Sequence, residues 1–451
     1  MNVNRKPFRF LLICLLFCGS FTIQAQTSES AKPWVFWYWM QAAVSKEGIT
    51  ADLTAMKQAG IGGAYLMSIK GPTKPPIFTP VAEQLSPQWW SMVNFAMKEA
   101  QRLNLKLGMH VSDGFALAGG PWITPELSMQ KVVTSQLDME GGTKNKITLV
   151  QPETREGYYK DIAVFAYPSL EGTGINTRTV KPLITTSDGT DASLLVVPEN
   201  KKSYSASTDC WIQYEFKQPF TCRSVTIRTT GNNYQAERLG IEVSDDGKIF
   251  RSLGRLKAPR HGWQDTDEDV TNAIEPVTAR FFRFIYDKKG SEPGAEDLDA
   301  AKWKPSLKLV NLELSSVPVI NQFESKNGSI WRMSERTTSQ QLADQQNVPL
   351  RSIINLTAKL NPDGTLDWKP PKGKWTILRV GHTSTGHENA TGGGGIGLEC
   401  DKFNPEAIKL QFDNWYGAAI KQAGPDLAKV LTVFHVDSWE CGSQNWSTIF
   451  P

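Results

Sequence analysis

Apolar segments that alternate with amphipathic ones near the start of the chain constrain its fold more than any other feature. The apolar segments, each typical of a buried strand, are 35–40, 61–67 and 105–110. Between the first two, Ile49, Leu53 and Met56 recur at the spacing of one helical face. Ser86 and Pro87 then supply the N-cap and the first-turn proline of a second helix. Strands that alternate with helices of this length predict parallel strands in an α/β fold.

The alternation returns near the end of the chain. Residues 375–382 are typical of a buried strand, Asn404 and Pro405 of a helix start, and residues 431–436 of another strand. The residues predicted on one side of that helix are Ile408, Phe412, Trp415 and Ala419. No glycine-rich phosphate loop follows a strand, and the strand ends carry polar and aromatic residues, which favours a (β/α)8-type barrel over an open doubly wound sheet. Only about five of the eight strands can be counted before Pro451, so we predict a barrel that is cut short.

The middle of the chain is predicted to be a large β insertion. Short alternating segments between 201 and 318 are separated by turn signals such as Ser244–Gly247, which is typical of a β-sandwich. The segments on either side carry no long helical pattern. We therefore predict an α/β plus β architecture. The predicted parts are a signal peptide 1–25, a first barrel part 26–130, a β-rich connector 131–200, the sandwich 201–318, a β-rich connector 319–374 and a second barrel part 375–451.

The first 25 residues predict an exported protein. Basic residues between positions 5 and 9 precede a continuous apolar run over 10–17, and small and polar residues then lead to a cleavage site after Ala25. This arrangement is typical of a secretory signal peptide, and the apolar run is shorter than a membrane-spanning helix. A secreted or periplasmic location follows. The alternative is a lipoprotein leader, in which lipid attached to Cys18 would anchor the protein at the cell surface.

The balance of charge excludes a dedicated nucleic-acid binder. Removal of the leader lowers the Lys+Arg count from 49 to 46, which equals the Asp+Glu count. No segment after the leader has the roughly 20 apolar residues of a membrane helix. Export permits disulfides, but spacing leaves open whether the four remaining cysteines are bridged or are buried thiols. They are Cys210, Cys222, Cys400 and Cys441.

Glu440 is the candidate for acid chemistry. It follows the predicted strand 431–436 directly, and the carboxyl ends of barrel strands carry catalytic groups. The neighbouring indole of Trp439 is expected to disfavour a charged carboxylate, which would raise the pKa of Glu440 and keep a proton available near neutral pH. In the alternative interpretation Asp437 caps the next helix and Glu440 is a solvated residue of its first turn.

Aromatic and polar residues near the predicted strand ends are candidates for sugar binding, because flat rings stack on the apolar faces of sugars. Core packing is the alternative for the tryptophans of the first strand, and a simple turn is the alternative for Asp113-Gly114. The candidates are Trp37, Trp39, His110, Asp113, Trp122, His382, His435, Asp437 and Trp439.

A loop with several carboxylates follows the predicted strand 375–382. Glu388 precedes a run of glycines at 392–395, and Glu399 comes after it. Carboxylate oxygens suit a hard cation such as calcium, so Glu388 and Glu399 are candidate ligands. The alternative is a polar loop with a solvated or salt-bridged pair.

Five sequence blocks are distributed along nearly the whole length of the chain after the leader. The blocks are KEGITADLTAMKQAGIGGAYLM (46–67), GGPWITPELSMQ (119–130), LDWKPPKGKWTILRVGHTSTG (366–386), GLECDKFNPEA (397–407) and VDSWECGSQNW (436–446). In this order they resemble the N-terminal half of glycoside hydrolase family 106, the α-L-rhamnosidases. The resemblance implies a (β/α)8 barrel with β accessory domains, inverting hydrolysis of terminal rhamnose in polysaccharides, and a calcium ion near the sugar. It also implies that Glu440 is the general acid, that the general base lies beyond Pro451, and that the chain is an N-terminal fragment.

Residues 201–318 resemble galactose-binding-like modules. The segments that carry this resemblance are 211–216, 241–250 and 279–286. It implies a jelly-roll sandwich and leaves open whether the sandwich binds sugar or is structural. Two other functions also stay open for the whole chain. One is a non-catalytic carbohydrate-binding or adhesion protein, and the other is a glycosidase of a different sugar specificity.

Overall fold

A computed structural model describes most of the chain after the leader. The described residues are 31–110, 118–142, 146–197, 200–229, 236, 238–257, 268–287, 306–330, 346–389, 393–436, 439 and 441–450. The predicted signal peptide lies outside them. The described residues form two compact units: the first holds 31–110, 393–394 and 418–436, and the second holds the others.

Among the described residues, strands alternate with long helices in the first unit, and the second unit consists mainly of strands. The strands are β1 Trp34–Met40, β2 Gly63–Ile69, β3 Lys106–His110, β4 Gln130–Gly141, β5 Ile147–Thr148, β6 Tyr159–Pro168, β7 Leu183–Thr186, β8 Tyr204–Ala206, β9 Cys210–Arg228, β10 Gly240–Ser244, β11 Arg251–Arg255, β12 Val270–Tyr286, β13 Leu307–Leu309, β14 Asn311–Ser315, β15 Ile354–Asn355, β16 Thr365–Leu366, β17 Gly373–Ser384 and β18 Leu431–His435. The longer helices are α1 Lys46–Gln58, α2 Pro87–Leu103, α3 Pro405–Phe412 and α4 Ala418–Leu427. Single helical turns lie at Thr177–Val180 and Phe323–Lys326. None of the described helices is long and apolar enough to cross a bilayer.

Four parallel strands form the sheet of the first unit, in the order β1-β2-β3-β18. Helix α1 connects β1 to β2, and α2 connects β2 to β3. The side chain of Ser45 accepts a hydrogen bond from the first turn of α1, and Ser86 does the same for α2. The predicted alternation of strand and helix at the start of the chain is therefore confirmed. These four strands are the parallel strands among the described residues.

Strand β1 has one face covered by helices and one face open. On the covered face, the indole nitrogen of Trp37 donates to Asp52 of α1 at 2.9 Å, and Trp39 packs edge-on against Trp89 of α2. On the opposite face Phe36 and Tyr38 are 52% and 53% exposed. Trp37 and Trp39, two of the sugar-binding candidates, are therefore core residues between sheet and helices, because strand alternation aims them at α1 and α2.

An antiparallel sheet in the second unit contains a strand that we predicted for the barrel. Strand β17, which includes the predicted segment 375–382, pairs antiparallel with both β4 and β6, and β15 extends the sheet beyond β6. The prediction that this segment continues the parallel sheet was wrong. Its partners β4 and β6 lie almost entirely in the segment 131–200, and β15 lies in the segment 319–374; we predicted both segments as connectors. A buried strand looks alike in sequence in either kind of sheet, because its partners lie far away in the chain.

A partly buried ion pair crosses the middle of this antiparallel sheet, with the Arg379 side chain 7% and the Asp161 side chain 33% exposed. The guanidinium of Arg379 donates to both oxygens of Asp161, at 2.7 and 2.8 Å, and the Tyr159 hydroxyl donates to Asp161 at 2.7 Å. Burial raises the pKa of Asp161, but the hydrogen bonds from Arg379 and Tyr159 outweigh burial and leave that pKa below its ordinary value. The carboxylate is therefore bound more favourably than the protonated acid.

This ion pair predicts a loss of stability in acid. The stability that Asp161 contributes is complete above the ordinary Asp pKa of about 3.9 and is lost as the pH falls through its lowered pKa. We expect wild type to lose stability below about pH 4 more steeply than Asp161→Asn, which is less stable at neutral pH. Urea midpoints measured from pH 7 to pH 3 test this. Asp367→Asn, at an exposed position, is the matched control, and parallel curves for wild type and Asp161→Asn would contradict the expectation.

The insertion between these strands is built around one folded sheet. Its strand order is β11-β10-β12-β9-β14, with β7 also paired to β9. Strands β9 and β12 are long and their register shifts within β12. The Tyr214 hydroxyl on one half of β9 donates to the Leu312 carbonyl of β14 at 2.6 Å, so the two halves face each other across a shared apolar core. The predicted turn is present, because Ser244 accepts from the Gly247 amide and Gly247 has a φ of 73°.

Helix α3 begins as predicted but buries a different side. Ala407 and Gln411 are buried, whereas Ile408 and Phe412, which we predicted on the packed side, are 41% and 46% exposed. The other two predicted residues, Trp415 and Ala419, lie beyond the end of α3 and are buried. A π-helical turn over 413–417 follows α3 directly. Such a turn holds more residues than an α-helical turn, so it shifts the phase between α3 and the residues that follow it.

Candidate functional site

Two histidines meet at the carboxyl end of the parallel sheet in the first unit. His110 ends β3 and His435 ends β18, and the pairing of these strands places them opposite each other. Their ring centroids are 4.9 Å apart. Carboxyl ends of parallel strands meet at one edge of a sheet, where α/β enzymes bind ligands. The structure therefore brings together two of the residues predicted to bind substrate.

Aromatic rings surround this histidine pair on the open face of the sheet. Tyr65 lies 5.3 Å from the His435 ring and Phe36 lies 6.0 Å from it, measured between centroids. Gly108 makes room for this packing, because a Cβ added there would lie 2.7 Å from the Tyr65 ring. Imidazole nitrogens can exchange hydrogen bonds with hydroxyl groups, and the flat rings beside them can stack on apolar faces. The arrangement suits a polyhydroxylated ligand.

In the second unit a buried lysine organises the residues around Trp439. The Lys402 ammonium donates to Glu399 at 2.6 Å and lies 3.5 Å from the sulfur of Cys441 and 3.3 Å from that of Met129. It also lies 5.1 Å from the Trp439 ring centroid. We refer to these five residues as the lysine cluster. Burial opposes the charge of Lys402, but Glu399 outweighs burial and the pKa of Lys402 is raised, so the side chain is an ammonium ion.

Trp439 is the accessible member of the lysine cluster. Its ring is 43% exposed, and its indole nitrogen donates to the Gly442 carbonyl at 2.7 Å. The exposed ring of Phe403 lies 6.3 Å away. The indole is held by a hydrogen bond and by the cation beside it, while the rest of its surface remains open. Such an anchored aromatic ring is suited to stacking on a sugar.

The two carboxylates predicted to bind calcium do not fit that role together. Glu388 is exposed, whereas Glu399 is fully buried and gives one oxygen to the Lys402 ammonium. The other oxygen of Glu399 is buried and has no hydrogen-bond partner among the described residues, but a single oxygen is far from the 6–8 that calcium takes. No group of three potential metal ligands occurs within the described ranges. Calcium thus stays a prediction of the family resemblance.

Asp401 anchors the loop that carries the lysine cluster. Its carboxylate accepts from the Ser447 hydroxyl at 2.5 Å, from the Phe403 amide at 3.0 Å and from the Gln444 side chain at 2.5 Å. Asp401 is fully buried. Its oxygens are used within the protein, so this residue joins the loop at 401–403 to the segment at 444–447.

His382, another candidate, is a buried residue of the antiparallel sheet. Its Nδ1 lies 3.1 Å from the Gln130 side-chain oxygen, and its ring packs near Trp446 and Tyr158. Burial and the Lys160 charge lower the pKa of His382, so the imidazole is neutral near pH 7. These contacts give His382 a packing role in the second unit.

Trp122 is held against the helix that follows the glycine-rich loop. Its indole nitrogen donates to Gln411 of α3 at 2.8 Å, and its ring meets Trp415 edge-on. The loop at 119–122 therefore packs on α3. The three remaining candidates, Asp113, Asp437 and Glu440, lie outside the described residues.

All four described cysteines are buried free thiols. The spacing left open whether these cysteines are bridged or are buried thiols, and in the structure they are buried thiols. Burial raises the pKa of Cys400 and of Cys441 to about 12, so both are protonated near neutral pH. Neither has the thiolate character that a nucleophile or a redox site requires.

Sequence reasoning did not identify Lys402, Cys441 or Met129 as parts of a site. One signal was present, because Glu399 and Lys402 are three residues apart and of opposite charge. Lysines are rarely buried, so a lysine in a polar loop reads as a solvated residue. The contact with Met129 joins residues that are 273 positions apart, which no local pattern reveals.

Comparison with known proteins identifies a matching family and proteins of similar sequence or fold. A sequence profile of the glycoside hydrolase 106 family, described as alpha-L-rhamnosidase, matches residues 25–451. A solved rhamnosidase from Novosphingobium sp. PP1Y is 27% identical, with a TM-score of 0.73, over 94% of this chain and 40% of that one. A Formosa agariphila protein named "Putative beta-glucuronidase" is 27% identical over 94% of this chain and 24% of that protein. The chain thus spans well under half the length of either relative.

Proposed function

The chain belongs to glycoside hydrolase family 106, described as alpha-L-rhamnosidase, and from this membership we propose that it is part of an exported glycosidase that releases terminal α-L-rhamnose from complex polysaccharides. The observation that carries the proposal is the match of the family profile over residues 25–451. The similarity in fold to a solved rhamnosidase over 94% of the chain supports it. Export rests on the predicted leader, with Cys18 as a site for a lipid anchor.

We further propose that the parallel sheet of the first unit belongs to a (β/α)8 barrel. The described strands supply four consecutive parallel neighbours with helices on one face. The other face carries Phe36 and Tyr38, whose exposure is unusual for large aromatic residues of a sheet. In a closed barrel these side chains fill the interior. The remaining strands and the general base are proposed to lie beyond Pro451.

The proposed chemistry is an inverting hydrolysis. Glu440 donates a proton to the leaving oxygen while a second carboxylate, roughly 6.5–9.5 Å away, activates a water on the opposite face of the sugar. The exposed indole of Trp439, next to Glu440 in the chain, stacks on the substrate. Calcium has no part assigned in these steps.

A second sugar specificity is favoured by one specific observation. The Formosa agariphila relative is named for glucuronide cleavage and is as similar in sequence as the solved rhamnosidase, at 27% identity. Glucuronides carry a carboxylate that rhamnosides lack, so the two substrates can be distinguished directly. Rhamnoside cleavage is the first candidate because the family description names it.

Aryl glycosides test the proposed function. For the purified full-length protein we expect kcat/KM for 4-nitrophenyl α-L-rhamnoside to exceed that for the β-D-glucuronide at least about 100-fold, which corresponds to roughly 3 kcal/mol of discrimination. Proton NMR of the first product is expected to show the β-anomer, because inversion reverses the configuration. Preferential release of glucuronic acid would favour the second candidate. Binding of rhamnosides without release of sugar would favour a carbohydrate-binding protein instead.

A further inference from the structure

Lys402 contacts residues on both sides of Glu440 in the chain. Its ammonium lies 5.1 Å from the ring centroid of Trp439 and 3.5 Å from the sulfur of Cys441. These two residues are covalently bonded to Glu440. One side chain therefore touches the residue before and the residue after the proposed proton donor, although the lysine lies nearly 40 positions away.

The lysine is itself held rigidly. Its side chain is 15% exposed, and its partner Glu399 is fully buried and lies 2.6 Å from the ammonium. The neighbouring backbone is fixed as well, because the Cys400 amide donates to the Ala118 carbonyl at 2.6 Å and the Asp401 amide to Leu127 at 2.7 Å. A buried group that is fixed from several sides can transmit its position to the residues that it touches.

Packing alone does not require a positively charged side chain at position 402. Removal of an ammonium and a carboxylate from water is costly, and an apolar pair of similar volume is often as stable. The ammonium gains a contact that an apolar side chain cannot make, because cations are attracted to the face of an indole ring. The Glu399 carboxylate balances the charge, so the pair adds no net charge beside Trp439 and Cys441. A buried neutral pair therefore orients Trp439 without favouring ionisation of a neighbouring acid.

We propose that Lys402, held by Glu399, is a positioning residue that fixes Trp439 and Cys441, the two residues bonded to Glu440 in the chain, and thereby governs proton donation by Glu440. This inference rests on the proposed role of Glu440 as general acid. Small displacements of a catalytic group reduce its efficiency steeply, by up to about 100-fold for 1 Å. The effect is confined to reactions that need the proton.

A series of leaving groups measures that effect. Phenyl α-L-rhamnoside needs protonation of its leaving oxygen, whereas the 2,4-dinitrophenyl compound has a leaving group that departs without it. For Lys402→Met in the full-length protein we expect kcat to fall roughly 10–100-fold on the phenyl substrate and less than about 3-fold on the dinitrophenyl substrate, with KM nearly unchanged. Lys409→Met, at an exposed position of α3, is the matched control and should leave both substrates unaffected.

Two further measurements keep the proposal open to contradiction. Lys402→Gln, which retains a donor for Glu399, replaces the methionine variant if that variant does not fold, and the same selectivity for the poor leaving group is expected. Equal losses on both substrates, or no loss on either, would overturn the proposal and leave Lys402 a structural residue. Glu440→Gln, measured on the same series of substrates, distinguishes a failure of this inference from a failure of the proposed role of Glu440. If it shows the selectivity and the Lys402 variants do not, only this inference fails; if it shows none, the role of Glu440 fails and this inference falls with it.

Discussion

Glu440→Gln is expected to lower kcat on substrates with poor leaving groups by roughly 10²–10⁴-fold, the usual contribution of a general acid. The amide has nearly the same shape as the carboxyl but carries no proton that it can give to the leaving oxygen. For the 2,4-dinitrophenyl substrate the loss is expected to be much smaller. The basic limb of the pH profile of kcat/KM, which reports loss of the acid's proton in the free enzyme, is expected to disappear in the variant.

Steady-state kinetics of the full-length protein over a pH series check this expectation. Glu406→Gln, in the exposed first turn of α3, is the control for removal of a carboxylate from the same unit. A variant at Glu440 that retains full activity on the phenyl substrate would remove this residue from the mechanism. A loss that is equal for all leaving groups would assign it to binding or folding rather than to proton transfer.

Phe282→Ala is expected to destabilise the β insertion by about 3–5 kcal/mol, the usual cost of truncating a fully buried phenylalanine. Phe282 lies on β12 with no exposed surface, and its ring meets Phe216 and Phe220 edge-on at centroid distances of 5.7 and 6.0 Å. Its removal leaves a cavity among rings that cannot all move inwards, because they are fixed on neighbouring strands.

Hydrogen exchange resolves this effect by region, which a single melting curve cannot do in a chain with more than one core. The free energy of opening for peptides from β9 and β12 should fall by the stated amount, and that of peptides from β1 to β3 should stay unchanged. Ile249→Ala, at an exposed position next to the Ser244–Gly247 turn, is the control and is expected to change stability by less than about 0.5 kcal/mol. A loss below about 1 kcal/mol for Phe282→Ala would mean that the core collapses around the missing ring.

Local chemistry made the first part of the fold predictable. Ser45 and Ser86 cap α1 and α2, Pro87 opens α2, and the apolar positions of α1 recur at helical spacing. Each of these signals involves residues within a few positions of one another. The alternation of strands and helices predicts that the strands are parallel. It does not show that β18 is the strand that pairs with β3, because no local sequence feature records that contact.

Long-range pairing accounts for the main error. Strand β17 was expected beside β18, but it pairs with β4 and β6, in a register that sequence does not encode locally. The face of α3 was wrong for a related reason. The π-helical turn at Asp413–Gly417 changes the phase of the helix, and no residue pattern announced it.

The candidate site was predictable where it depends on strand ends. His110 and His435 were named because each ends an apolar run, and the structure places their rings together. Trp37 and Trp39 were named as aromatic residues of a strand, but their side chains are buried on the face that α1 and α2 cover. Strand alternation places both on one face and does not show which of the two faces the helices cover. Lys402 could not be predicted as a residue of the site, since its role depends on side chains that lie far from it in the sequence.

The order in which the chain is synthesised bears on how its parallel sheet is completed. Strand β18 starts roughly 320 residues after β3 ends, so a ribosome that adds 5–20 residues per second reaches it only after about 15–60 s. During that interval one edge of β3 has no native neighbour, and bare strand edges recruit foreign strands. The inserted β sheets have apolar cores of their own and can fold before β18 is synthesised. Among the described strands, β3 thus waits longest after its own synthesis for its second neighbour, so its edge is the one with the greatest need of protection until β18 has been made.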